Sequence, residues 1–167
     1  MPWEQLASRA MLRASLGLPD ALYLRLGRGR DPEVYPVVPE DFAFGRAVRL
    51  LDGTDATIIA TGSEILRTRG VLVRVLDMHT IKPLDDVAVL AAAKETGRIV
   101  VAEEHLLHGG LGSAVAMSAA RQHPVPMRFV GINDTFAESG KPDELLAKYG
   151  LTAADIVKAA RDLPAKK

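Results

Sequence analysis

The chain has 167 residues, 48% hydrophobic and 25% charged, which suits one full-sized globular domain with an additional piece. Lys plus Arg is 21 and Asp plus Glu is 21, so the zero formal charge argues against a nucleic-acid binder, which needs a basic surface. There is no Cys, which excludes disulfide and thiolate chemistry and fits a reducing cytoplasm. No run approaches the roughly 18 apolar residues of a membrane helix. The start, MPWEQLASRA, has no basic segment followed by an apolar one, so a secretory leader is not expected.

Residues 3–16 place Leu6, Ala10, Met11 and Leu12 largely on one helical face, and Gly17 and Pro19 stop the helix. Residues 1–30 hold five Arg (9, 13, 25, 28, 30) against Glu4 and Asp20. That excess suits either a small anion site or a solvated basic face. Ala21 to Leu26 reads as a short strand. The glycines and prolines of 27–45 favour extended backbone and mark a linker. Ala47–Leu51 and Ala56–Ala60 read as strands joined by the hairpin signal Asp52-Gly53.

A strand follows at Val71–Leu76, then a helix at Leu84–Glu95 with Asp85 or Asp86 at its start and Gly97 past its end. Ile99–Ala102 is a strand, Gly112–Gln122 a helix and Met127–Val130 a strand. Helices at Asp143–Tyr149 and Ala153–Asp162 close the domain, the last begun by Thr152 with Asp155 three residues on. PAKK is a frayed tail. Strands alternating with helices define an α/β layered fold.

One connection is short. Thr61 to Gly70 offers ten residues between strands that should be parallel, where a crossover needs a dozen or more. A seven-residue helix rises only about 10 Å, against about 20 Å for a six-residue strand. A truncated helix here would leave alternate side chains of Thr57–Ala60 and Val71–Leu76 partly bare.

Four strand ends carry polar residues: Thr61-Gly62-Ser63, Asp77-Met78-His79-Thr80, Glu103-Glu104-His105 and Asn133-Asp134-Thr135. In a parallel sheet they meet at one edge, either as a shallow polar cleft or as caps and loop ties. The candidate cleft residues are Ser63, His79, Glu104, His105, Gly112 and Asp134. The spacing of His79, His105, His108 and His123 fits no zinc motif, so no metal is expected. Glu103 and Glu104 are neighbours in extended chain and point to opposite faces, which suits no shared-proton pair. Ser113 reads as a helix-start cap, since no GxSxG elbow surrounds it. Gly110-Leu111-Gly112 partly mimics a dinucleotide fingerprint, but Val115 stands in place of the third glycine.

Taken together, YLRLGRG (23–29), ATIIATGSE (56–64), LDMHTIKPLD (76–85), VAEEHLLHGGLGSAVA (101–116) and INDTFAESG with ELLAKYGLT (132–152) resemble the C-terminal part of the transketolase family. The form is that of the separate C-terminal subunit of split transketolases. The Met78-His79-Thr80 triplet resembles transketolases more than deoxyxylulose-phosphate synthases. The resemblance implies a three-layer fold with a mostly parallel five-stranded sheet and one antiparallel strand, preceded by an orphan helix–strand unit. It divides the chain into 1–30, a remnant of the pyrimidine-binding domain; 31–45, a linker; 46–163, the C-terminal domain; and 164–167, a tail.

Such enzymes move a two-carbon ketol unit between sugar phosphates, using thiamine diphosphate and a divalent metal, magnesium or calcium. The resemblance implies no catalytic residue, cofactor or metal site in this chain alone. It maps the family's phosphate-holding arginine onto Arg28, whose guanidinium fork suits phosphate. It implies a homo-oligomer or a separate thiamine-diphosphate-binding subunit as partner, a sugar phosphate in the complete enzyme, and neither nucleic acid nor membrane. Two departures stand out: the short span after Ser63, and Lys141 before Pro142 where a Ser or Thr cap belongs. An independent small-ligand-binding or regulatory α/β domain is the alternative reading.

Overall fold

A computed structural model describes residues 5–26, 37–40, 42–61 and 72–164. After helix α1 (Gln5–Ser15), the domain runs β1 (Val48–Leu51), β2 (Ala56–Thr61), β3 (Val73–Asp77), α2 (Asp86–Glu95), β4 (Ile99–Leu106), α3 (Leu111–Gln122), β5 (Met127–Ile132), α4 (Pro142–Lys148) and α5 (Ala153–Arg161). The strand order is β1-β3-β2-β4-β5. Only β1 is antiparallel to its neighbour; the other three pairings are parallel. The mostly parallel five-stranded α/β sheet is therefore present.

Period-two alternation sorts the strand residues onto two faces. Ile59, Leu76, Ile99 and Val101 pack with Val89, Ala92 and Ala93 of α2 and Leu111, Val115 and Ala119 of α3. Ile58, Val73, Val75, Val100 and Val130 pack with Ile156 and Ala160 of α5 and Leu163. The result is three layers. Because both faces are covered, consecutive residues of β2, β3 and the first half of β4 are buried rather than alternating with exposed ones. Each large side chain so buried contributes about 1.5–3 kcal/mol.

The Asp52-Gly53 turn does not make a hairpin. β1 pairs with β3, which lies between β1 and β2. The turn carries the chain across the start of β3: Asp55 donates its N–H to the Leu72 carbonyl at 2.8 Å and accepts from Leu72 N at 2.9 Å. A Cβ at residue 53 would lie 2.3 Å from the Val73 carbonyl carbon, so only glycine permits this crossing. Sequence distance favoured the hairpin; the close backbone approach at Gly53 decides otherwise.

Two further expectations change. Residues 21–26 form no strand. A strand needs a partner backbone, and among the described residues none pairs with this one. On α1 the buried pair is Ala7 and Met11, at i, i+4 spacing, while Leu12 is exposed. The 62–71 connection lies outside the described residues. The sheet beside it is not bare: Thr57–Ile59 and Val73–Leu76 are all buried. Leu50 of β1 and Leu163 beyond α5 join the same cluster and help close that face.

Helix ends follow local chemistry. Thr152 and Asp155 form a reciprocal capping box. α4 starts at Lys141 without a side-chain cap, with Pro142 and two acidic residues in its first turn instead. At the opposite end of the sheet, Arg98 ties the chain together, donating to the carbonyls of Asp55 (2.6 Å) and Leu163 (3.4 Å).

Candidate functional site

The parallel pairing of β2 to β5 puts their carboxyl ends on one edge, where ligands of open α/β sheets collect. The chemistry there turns on Glu103. It is in phase with Ile99 and Val101, so it falls under α3 and is 5% exposed. Its carboxylate accepts from Leu111 N and Gly112 N, each at 2.7 Å. These are free N–H groups of the first turn of α3, where the helix dipole favours negative charge. The glycines make room. A Cβ at Gly110 would lie 2.2 Å from a Glu103 oxygen, and one at Gly112 would lie 3.0 Å from the Phe129 ring. Ser113 is not the expected cap: the N-cap is Gly110, with no side-chain cap bond, and Ser113, inside the first turn, accepts from Gly109 N (3.0 Å) and donates to the Leu107 carbonyl (2.9 Å), tying down the preceding loop.

The helix N-terminus that a dinucleotide fold offers to phosphate is thus filled by the protein's own carboxylate. A diphosphate does not fit there: it would meet the charge of Glu103 and find both N–H groups occupied.

His79 lies at the end of β3 with 2% of its surface exposed. Its Nδ1 shares a 2.8 Å hydrogen bond with Thr80 Oγ1, and its ring stacks on Phe42, with centroids 4.4 Å apart. Burial pushes its pKa down to about 4, so the ring is neutral at pH 7. Glu104 points to the opposite face from Glu103 and is exposed. His105 is exposed, its Nδ1 3.0 Å from the Leu106 carbonyl. Asp134 is exposed just past β5, with φ of 22°, a left-handed turn conformation that Asp tolerates. Gly112 is buried. Ser63 and Arg28 lie outside the described residues.

The edge is therefore shared but divided. His79 and Gly112 are sealed inside, while Glu104, His105 and Asp134 face solvent. Among the described residues no cluster of three or more His, Asp or Glu could hold a metal ion. No described helix is long and apolar enough to cross a membrane. Sequence reasoning passed over Glu103 because it weighed that residue only against Glu104. The available signal was its phase with Ile99 and Val101, followed by glycines at 110 and 112.

The site is thus set in a three-layer α/β domain whose Glu103 carboxylate is committed inward, to the start of its own helix α3. Comparison places it. The model of the transketolase C-terminal domain matches residues 45–156, and the chain belongs to that family. It is 39% identical to an apulose-4-phosphate transketolase subunit of Phocaeicola vulgatus, over 99% of this chain and 56% of the relative. It is 43% identical to the 6-deoxy-6-sulfo-D-fructose transketolase subunit SqwH of a Clostridium species, over 77% of this chain and 42% of the relative. A solved structure described as a split gene transketolase, inactive beta4 tetramer, matches with a TM-score of 0.89 at 40% identity. That match covers 96% of this chain and 55% of the other. The chain spans about half the length of these relatives.

Proposed function

We propose that this chain supplies the C-terminal portion of a transketolase-like enzyme and carries out no ketol transfer alone. The observation that carries this reading is the Glu103 carboxylate seated on the α3 N-terminus. It commits the best anion site of the described sheet edge to holding the fold together. Thiamine diphosphate and its magnesium or calcium ion then belong to other domains. The division into a pyrimidine-domain remnant (1–30), linker (31–45), domain (46–163) and tail (164–167) accompanies this reading.

The role left to the chain is assembly and substrate holding. Leu12, Leu16, Leu18, Leu22, Tyr23 and Leu26 are all exposed within a short stretch. Such a concentration marks a protein-contact surface. Leu22, Leu24 and Leu26 alternate along the chain, a pattern suited to adding to another sheet. The partner is a second copy or a separate thiamine-diphosphate-binding subunit. Glu104, His105 and Asp134 form the solvent-facing remainder of the cleft edge. Arg28 holds the phosphate of the sugar phosphate in the assembled enzyme. A cysteine-free chain of zero net charge suits the cytoplasm and neither nucleic acid nor a membrane.

The test is a ketol-transfer assay on this chain alone and mixed with a polypeptide bearing the missing thiamine-diphosphate-binding domains. Activity in the mixture only supports the proposal. Turnover by the chain alone overturns it.

A further inference from the structure

The segment leading into the domain is read from sequence as a linker, and linked units move freely unless something holds them. Its described end is held at two points and the first residues of the domain at a third, all on the loop after β3. Phe42 stacks on buried His79 with ring centroids 4.4 Å apart and an interplanar angle of 28°. The backbone at Gly45 lies directly on Pro83: a Cβ there would be 2.9 Å from Pro83 Cγ, and the φ of +73° suits glycine. Ala47 donates its N–H to Asp85 Oδ2 at 2.8 Å. Internal turns, Phe42 N to the Pro39 carbonyl (3.1 Å) and Arg46 N to the Ala43 carbonyl (3.2 Å), stiffen the segment.

From this geometry we infer that residues 42–47 are a latched strap, with the Phe42–His79 stack as its latch. The strap shares a group with the domain's interior. The other oxygen of Asp85 accepts from Ala88 N at 2.9 Å and caps α2. One carboxylate thus binds the incoming chain and starts the helix that lines one face of the core. A chain pulled or turned by whatever lies upstream acts directly on the start of α2. In the assembled enzyme of the proposed function, the strap fixes the direction from which the preceding unit joins the domain.

Amide hydrogen exchange tests this on the isolated chain, without reference to activity. Phe42→Ala should speed exchange of the Phe42, Arg46 and Ala47 amides by about tenfold or more, while β2 and β4 stay protected. Trypsin cleavage after Arg46 should rise in parallel. His79→Phe keeps an aromatic ring under Phe42 and should leave the strap protected; His79→Ala should release it. Phe136→Ala, which removes a fully exposed ring, is the control and should change nothing. Wild-type amides at 42–47 that exchange as freely as in Phe42→Ala would overturn the latch. So would release by His79→Phe equal to that by His79→Ala. Global loss of protection in Phe42→Ala would shift the decision to the two His79 variants. Failure of the ketol-transfer assay would leave these outcomes untouched.

Discussion

Buried His79 makes the fold acid-sensitive in a calculable way. Its folded pKa is lowered from 6.5 to about 4, because burial disfavours the imidazolium. The unfolded chain therefore binds a proton between those values that the folded chain refuses. Stability from this group is fully present above pH 6.5 and is lost as pH falls from 6.5 towards 4. Linkage, at roughly 1–2 kcal/mol per unit of pKa difference, gives a loss of about 2–3 kcal/mol between pH 7 and pH 4.5. That is a large share of the roughly 5–15 kcal/mol that holds a domain folded. Urea unfolding of wild type and His79→Phe across this range isolates the effect, since other groups titrate alike in both. The wild-type stability should fall relative to the variant by about 2–3 kcal/mol at pH 4.5. Parallel curves, or a wild type that gains on the variant as pH drops, would refute the reasoning.

Gly110→Ala should expel the Glu103 carboxylate from the α3 N-terminus. Losing two charge-assisted hydrogen bonds costs about 3 kcal/mol or more by urea unfolding. Gly109→Ala, with open space around its Cβ, should cost only about 1 kcal/mol of backbone strain. Thr152→Ala removes one half of the capping box and should cost about 1 kcal/mol. It should also let the Asp155 pKa, now held down first by the Thr152 side-chain hydrogen bond, rise towards its ordinary value, as carboxylate NMR titration would show. In an assembled enzyme, Arg28→Ala should raise KM for sugar phosphate by roughly 10- to 150-fold, the equivalent of about 1.5–3 kcal/mol for one charged contact. An unchanged KM removes Arg28 from the site. Light scattering should show the isolated chain as a dimer or larger, with Leu16→Glu and Leu22→Glu shifting it towards monomer.

The layers of the fold were readable because burial on both faces leaves a direct mark in residues such as Ile58–Ile59 and Ile99–Val101. Caps were readable for the same local reason: Thr152 with Asp155, and Asp85 or Asp86, of which Asp85 is the cap, sit where the helix N–H groups need acceptors. Strand neighbours were not. Asp52-Gly53 is locally a hairpin signal, and only the contact with Val73 shows that β3 is inserted there. The span after Ser63 remains outside the described residues. At the candidate site, residue types marked the polar carboxyl ends of the strands, which the parallel pairings put on one edge. They did not separate Glu103 from Glu104, because strand parity decides which of the two meets α3. Phe42 went unnoticed, since a linker aromatic gives no periodic signal and its partner lies well along the chain at His79.

The central proposal is that this chain serves a thiamine-diphosphate enzyme without holding the cofactor itself. Calorimetric titration of the chain with thiamine diphosphate and magnesium tests it most directly. No saturable heat is predicted, because the N-terminus of α3 at the sheet edge is already taken by Glu103 and is closed to a diphosphate. Saturable binding at micromolar concentration would contradict the account.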